Sequence, residues 1–196
     1  MEKCLMQTKT DLRVIKTRAN IKNTFIDLLT KKAFAEITVQ NILDQALINR
    51  STFYKHYSDK YDLAEQFINE IMEQSTIFIT KRFDDMKDEG LPSIIYNVYD
   101  YVYDNKKIIL ALWKIRTDKL HLYDDLQGVL KRNCMQYLTD HNADKDSSMI
   151  DYYSTLYASL ALTTIKWILE SGNETDIVKI IDQLKYTFGD RLWSLT

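Results

Sequence analysis

The chain has 196 residues, 45% of them hydrophobic, and a formal net charge of −2, so it is long enough to bury a full core in one or two domains. Only four glycines and one proline are present, which leaves few turns for β-hairpins and favours long, uninterrupted helices. Residues 1–60 carry 11 Lys and Arg against 6 Asp and Glu, whereas residues 61–196 carry 15 against 22, so a basic head precedes an acidic body.

The first elements in chain order are a polar arm and an amphipathic helix. Residues 1–16 are polar and basic, and we expect them to form a frayed arm. In the segment TRANIKNTFIDLLTKKAF, four apolar residues share one stripe of a helix predicted over residues 18–31: Ile21, Phe25, Leu28 and Leu29.

A helix-turn-helix is predicted from residue 38 to residue 57. Thr38 is a suitable N-cap for a second helix that ends near Leu47, and Asn49 is a suitable N-cap for a third helix over residues 50–57. The inner sides of both helices supply a small apolar core: Val39, Ile42, Ala46, Ile48 and Phe53. The outer side of the third helix carries Arg50, Ser51 and Tyr54, whose side chains are of types that bind base edges or phosphates.

The rest of the chain also predicts helices. A fourth helix runs from Lys60 to near Gly90, and Pro92 begins a fifth. The segment KKIILALWKIR is predicted to be buried, and another helix from Leu122 to Leu138 precedes the loop HNADKDSS. Two final helices, over residues 149–170 and 176–192, carry apolar and small residues on more than one face, which indicates buried or paired surfaces.

The segment ITVQNILDQALINRSTFYKHYSDKYDL resembles the DNA-binding signature of TetR-family transcriptional regulators, and with the preceding helix the resemblance covers residues 17–63. It implies that four residues face bases or nearby phosphates: Gln40, Arg50, Ser51 and Tyr54. It implies that four others hold the DNA backbone: Thr38, Thr52, His56 and Lys60. The fold that it implies is all-α, with an N-terminal three-helix helix-turn-helix DNA-binding domain and a larger helical ligand-binding and dimerisation domain.

Leu47 departs from this signature, because relatives usually have glycine at that position of the turn. A residue other than glycine with a positive φ angle is uncommon. We therefore expect either a different turn or a local strain of about 1 kcal/mol.

We divide the chain into residues 1–60, the arm and DNA-binding domain, and residues 61–196, the effector-binding and dimerisation domain. The second part contains 11 of the 13 tyrosines and all three tryptophans. Aromatic side chains with a polar tip suit the wall of a ligand pocket, although most such residues belong to a core. Six are candidates for contact with a small-molecule effector: Tyr96, Tyr99, Tyr103, Trp113, Tyr123 and Tyr137.

The predicted function is sequence-specific transcriptional regulation, as a repressor of a palindromic operator in double-stranded DNA. The resemblance implies a homodimer held by the last two helices. The alternative is a regulator-like adaptor whose C-terminal domain binds a partner protein instead of a small ligand.

An enzyme is disfavoured, because the three histidines lack metal-ligand spacing and no glycine-rich phosphate loop occurs. The two cysteines, Cys4 and Cys134, form neither a CxxC pair nor a disulfide framework. No run of about 18 apolar residues and no signal peptide is evident. We therefore expect a cytoplasmic protein without metal, cofactor or membrane contact.

Overall fold

The computed structural model describes residues 2–84, 101–141 and 146–171 together with residues 179, 180 and 183, and it describes residues 2–11 by their backbone alone. Every regular element in these ranges is helical, which confirms the predicted all-α fold. The elements are α1 (Glu2–Lys31), a 3-10 helix (Phe34–Glu36), α2 (Val39–Ala46), α3 (Arg50–Tyr54), α4 (Lys60–Asp84), α5 (Lys106–Leu112), α6 (Leu122–His141) and α7 (Ser147–Ser171).

Helix α1 is longer than its apolar pattern predicts, since it begins at Glu2 instead of near residue 18. The prediction of a frayed arm over residues 1–16 is therefore wrong. Residues 2–31 contain neither glycine nor proline, so no residue type in this segment interrupts the helix. The spacing of apolar residues underestimated the length of α1, because Leu12 and Ile15 are exposed, whereas Ile21 and Phe25 are fully buried.

The chain forms two compact units. The first contains residues 1–70 and 111–120, and the second contains residues 71–110 and 121–196. The core of the first unit includes five fully buried side chains from α1 to α4: Ile21, Phe25, Ile42, Phe53 and Leu63. The domain boundary predicted between residues 60 and 61 lies at the first turn of α4, and a functional division there stays a prediction.

In the second unit, α6 and α7 pack against each other and are also joined by polar contacts. Gln127 donates from Nε2 to Ser159 Oγ at 2.8 Å, and Lys131 Nζ lies 2.8 Å from Asp151 Oδ1. Cys134 of α6 is buried, and this burial raises the pKa of its thiol to about 12. The thiol is therefore protonated at neutral pH and acts as a small apolar side chain.

The observed helix ends differ from the predicted ones at several positions. α3 ends at Tyr54, three residues before the predicted end, because Lys55 and His56 form a turn that leads to buried Tyr57. α7 covers the predicted helix over residues 149–170 with small extensions. The helix beginning at Pro92, the end near Gly90 and the final helix over residues 176–192 lie outside the described residues, apart from helical residues 179, 180 and 183.

Among the residues that the structure describes, no helix is both long enough and apolar enough to cross a bilayer. The same residues contain no group of three or more His, Cys, Asp and Glu side chains arranged to hold a metal ion.

Candidate nucleic-acid interface

The start of α2 is fixed by reciprocal hydrogen bonds between Thr38 and Asn41. The Asn41 amide donates to Thr38 Oγ1 at 3.1 Å, and the Thr38 amide donates to Asn41 Oδ1 at 3.1 Å. This capping box satisfies two backbone donors that would otherwise lack partners at the helix N-terminus. The inner side of α2 then buries Ile42, Leu43 and Ala46. Val39 and Ile48 are only half-buried, contrary to their predicted places in the core.

The turn between α2 and α3 contains a strained residue. Leu47 has φ 54° and ψ 45°, so of the two expected alternatives the structure shows the strained left-handed conformation and not a different turn. Its amide and that of Ile48 both donate to the Leu43 carbonyl, which closes the end of α2. Asn20 of α1 donates to the Ala46 carbonyl at 2.8 Å. The turn therefore keeps a glycine-like geometry at a cost of about 1–2 kcal/mol for the leucine.

Asn49 organises the first turn of α3 through one oxygen atom. Asn49 Oδ1 accepts hydrogen bonds from the Thr52 amide at 2.8 Å, from Thr52 Oγ1 at 2.7 Å and from Ser51 Oγ at 2.8 Å. The sequence predicted an N-cap here, but not that both neighbouring hydroxyl groups donate to it. Their protons point toward Asn49, so the outward sides of both hydroxyl groups present lone pairs.

Replacing Asn49 by alanine is expected to lower the free energy of unfolding by about 1 kcal/mol, because α3 loses its N-cap. Chemical denaturation of the wild-type and variant proteins measures this difference. Asn49→Asp is the matched control, since it keeps an acceptor oxygen and should retain most of the stability. Equal stability of Asn49→Ala and the wild type would contradict the capping role.

Helix α3 exposes the side chains that the sequence predicted to face DNA. Phe53 is fully buried, while Arg50 and Ser51 are exposed and Tyr54 is 49% exposed. The Tyr54 ring packs edge-on against Phe53, with 5.6 Å between ring centroids. This contact holds the tyrosine hydroxyl away from the core. The outward placement of Arg50 and Tyr54 is thus observed, and their contacts with DNA stay predictions.

The remaining predicted contact residues surround α3. Thr38 and Gln40 are exposed at the start of α2, and Gln40 donates from Nε2 to Asp44 Oδ1 at 2.7 Å. Thr52 of α3 and His56 of the following turn are half-buried, and the His56 ring lies beside Tyr57. All four lie in the first compact unit with Arg50, Ser51 and Tyr54.

Lys60 has partners within the fold. Its Nζ atom donates to three backbone carbonyls that follow α1: Phe34 at 2.9 Å, Ala35 at 3.1 Å and Ile37 at 2.7 Å. The ammonium group also lies 4.8 Å from the centroid of the Phe34 ring, and partial burial lowers the pKa of Lys60. Since these bonds use all three donors, they favour a structural role. The implied contact between Lys60 and the DNA backbone stays a prediction.

The six aromatic candidates for effector contact have different surroundings. Tyr96 and Tyr99 lie outside the described residues. Trp113 is buried and belongs to the first unit, whereas Tyr103, Tyr123 and Tyr137 belong to the second. Each of these three has its own neighbour: Lys106 for Tyr103, Thr163 for Tyr123 and Phe83 for Tyr137. Contact of these six residues with an effector stays a prediction.

A capped helix-turn-helix with an exposed arginine and tyrosine, in a chain whose described elements are all helical, is typical of DNA-binding transcriptional regulators. Residues 89–190 match a family model described as the C-terminal region of TetR-type transcriptional regulators. Since this match spans more than half of the chain, the protein belongs to the TetR family, whose members are regulators of transcription and not enzymes.

Solved structures of regulators share the fold. The chain resembles NalD of Pseudomonas aeruginosa, the secondary repressor of the MexAB-OprM multidrug efflux pump, with a TM-score of 0.65 and 17% identity over 91% of this chain and 96% of NalD. It also resembles a TetR transcriptional regulator from Streptococcus agalactiae 2603V, with a TM-score of 0.61 and 23% identity over 92% of this chain and 96% of the other. At these identities the likeness concerns the fold.

A curated relative is similar over a shorter segment. The chain is 38% identical over 72 residues to an uncharacterized HTH-type transcriptional regulator, YxbF, of Bacillus subtilis strain 168. The match covers 34% of this chain and 19% of that relative. This chain therefore spans about a fifth of the length of YxbF.

Proposed function

We propose that the protein is a transcriptional repressor that binds a palindromic operator as a homodimer and releases it when a small molecule binds the acidic second part of the chain. The observation that carries this proposal is the exposed side of α3, where Arg50, Ser51 and Tyr54 lie opposite buried Phe53. An α-helix with such an outer side fits the major groove of B-DNA. A regulator of double-stranded DNA works where the DNA is, so we place it in the cytoplasm.

The three outward residues of α3 suit different chemical groups of the DNA at its major groove. Arg50 can bind O6 and N7 of guanine through two hydrogen bonds. The proton of the Ser51 hydroxyl already donates to Asn49, so Ser51 is suited to accept a bond from the amino group of adenine or cytosine. Tyr54 keeps its hydroxyl group near the same surface and can bind a base edge or a phosphate.

A stripe on α7 supports the homodimer. Met149, Tyr152 and Trp167 are 41%, 57% and 54% exposed, and their spacing, with half-buried Leu156 and Leu160 between them, places them on one face of the helix. Large apolar side chains that share a face indicate a surface used for association. A two-fold pair of such surfaces would present two copies of α3 to half-sites about 34–36 Å apart.

The repressor assignment and the response to an effector follow from what a bound dimer does. A protein that occupies an operator excludes other proteins from the same DNA, and NalD, which shares the fold, is described as a repressor. An effector would act by binding the free and DNA-bound conformations with different affinities. Aromatic residues of the second unit, among them Tyr103 and Tyr123, are the first positions to test for this contact.

Selection of bound fragments from a pool of random DNA tests the proposal. We expect the purified protein to enrich one symmetric sequence at low ionic strength, and a dimer of about twice the chain mass to bind it. Addition of candidate metabolites should then lower the affinity for that sequence in at least one case. Failure to enrich any symmetric sequence would contradict the proposed function, and binding of a partner protein instead would favour the adaptor.

A further inference from the structure

A groove between α1 and the helix-turn-helix is not explained by the contacts of α3 alone. It has a volume of about 800 Å³ and is lined by Arg13, Val14, Thr17, Leu47, Ile48, Asn49, Thr52, Lys55 and His56. A second hollow beside it shares Arg13, Thr17 and Ile48 and adds Lys16. All of these residues belong to the first compact unit. The groove exists because α1 continues as a helix past the turn, where the sequence predicted a frayed arm.

We propose that this groove receives one sugar-phosphate strand of the DNA at the edge of the major groove that α3 enters. The inference rests on the proposed function, because it requires that α3 binds DNA. It adds a second contact surface, formed by α1 and the turn, to the residues implied by the family signature.

The chemistry of the groove matches that of a sugar-phosphate strand. Arg13 and Lys55 supply exposed positive charges in the groove, Lys16 supplies another in the hollow beside it, and these side chains suit phosphate oxygens. Val14, Leu47 and Ile48 supply apolar surface between them, which suits the deoxyribose rings that alternate with phosphates. Among the residues whose side chains the structure describes, those that line the groove include no carboxylate, so an anionic strand meets no like charge from them.

The conformation of Leu47 supports the same occupant. This side chain is 90% exposed although its backbone is in the left-handed region, where glycine would fit without strain. An exposed leucine adds nothing to the core, so the fold gains nothing from keeping it there. Strained residues of this kind are concentrated at functional sites. Contact between Leu47 and DNA gives the side chain a role that glycine cannot fill.

The groove lies beside α3, and this position restricts what the groove can bind while α3 is bound to DNA. Thr52, Lys55 and His56 line the groove from one side of α3 and its following turn, and Arg50 and Tyr54 lie on the other. Asn20 fixes α1 to the end of α2 through its bond to the Ala46 carbonyl. When α3 lies between two DNA strands, the groove therefore faces one strand of the same duplex.

The test uses the selected operator and five variants of the full chain, three in the groove and two as controls. We expect Arg13→Ala and Lys55→Ala each to lower affinity about 3- to 10-fold for operator and unrelated DNA alike, and to reduce the slope of log affinity against log salt by roughly 1. Lys81→Ala is the matched control, since Lys81 is exposed on α4 and does not line the groove. It should leave the slope unchanged.

Leu47→Gly separates DNA contact from a role in folding. We expect it to bind the operator about 3- to 10-fold more weakly, although its melting temperature does not fall. Ile15→Ser is its control, because Ile15 is exposed on α1 outside the groove, and it should bind as the wild type does. If the wild type selects an operator but all three groove variants bind it with unchanged affinity and slope, the groove proposal is wrong. If the wild type selects no operator, both proposals are wrong.

Discussion

Replacing Lys60 by methionine is expected to lower the free energy of unfolding by about 2–3 kcal/mol. The Lys60 ammonium group donates to three carbonyls that follow α1, and a hydrogen bond to a charged group contributes about 1.5–3 kcal/mol when it is well shielded. The site is half-buried, and water screens and replaces part of these bonds, so we expect a loss well below the sum of three such bonds. Methionine keeps an apolar stem of similar length, which leaves the lost polar contacts as the cause. Denaturant titration followed by circular dichroism measures the change.

Two controls separate this structural role from DNA binding. Lys60→Arg keeps the charge, but its planar fork cannot direct three donors toward converging carbonyls, so it should restore only part of the stability. Lys81→Met alters an exposed lysine of α4 and should cost less than about 0.5 kcal/mol. Suppose that Lys60→Met has unchanged stability and that its slope of log DNA affinity against log salt falls by about 1. This result would contradict the structural role and support the phosphate contact implied by the family signature.

The helix-turn-helix could be predicted because its determinants are local. Thr38 bonds to Asn41, and Asn49 bonds to Thr52, each within three residues of sequence, so cap preferences alone locate both helices. The glycine that relatives usually have at the position of Leu47 narrowed this turn to two alternatives, a different turn or a strained positive φ, and the structure shows the second. The outward placement of Arg50 and Tyr54 followed from the position of Phe53 on a helical wheel.

Other features depend on contacts that are distant in sequence. The carbonyls bound by Lys60 lie 23 to 26 residues before it, and no local pattern indicates which partner a lysine finds. α1 extends to Glu2 without an apolar stripe in its first half, and a periodicity criterion therefore missed it. The groove beside α3 was missed for the same reason, since its α1 wall was expected to be a frayed arm.

The aromatic residues show a different limit of sequence reasoning. A buried core and the wall of a ligand pocket use the same side chains, so composition cannot separate them. Tyr137 and Tyr157 both pack against Phe83, and burial raises the pKa of both tyrosine hydroxyls. Tyr137 is therefore part of the packing of the second unit, and its substitution would report on stability as well as on any effector.

Arg50→Ala and Tyr54→Ala are each expected to weaken operator binding by about 1–3 kcal/mol, or roughly 5- to 150-fold. Both side chains are exposed, and the described part of the chain gives Arg50 no ion pair, so its loss should leave the free energy of unfolding nearly unchanged. For Arg50→Ala the loss of affinity should be much smaller for unrelated DNA, because a base contact is removed, and an equal loss on both duplexes for Tyr54→Ala would assign its contact to a phosphate. Equilibrium titration of labelled operator and unrelated duplexes measures both affinities.

Conservative variants decide what kind of contact is lost. Arg50→Lys keeps the positive charge but loses the paired donors that bind guanine, so it should lose specificity while retaining affinity for unrelated DNA. Tyr54→Phe keeps the ring on Phe53 and removes only the hydroxyl group, so a loss equal to that of Tyr54→Ala would assign the contact to that group. If Arg50→Ala and Tyr54→Ala both bind the operator as the wild type does, the outer side of α3 is not the recognition surface, because no other exposed side of this short helix carries an arginine beside an aromatic ring.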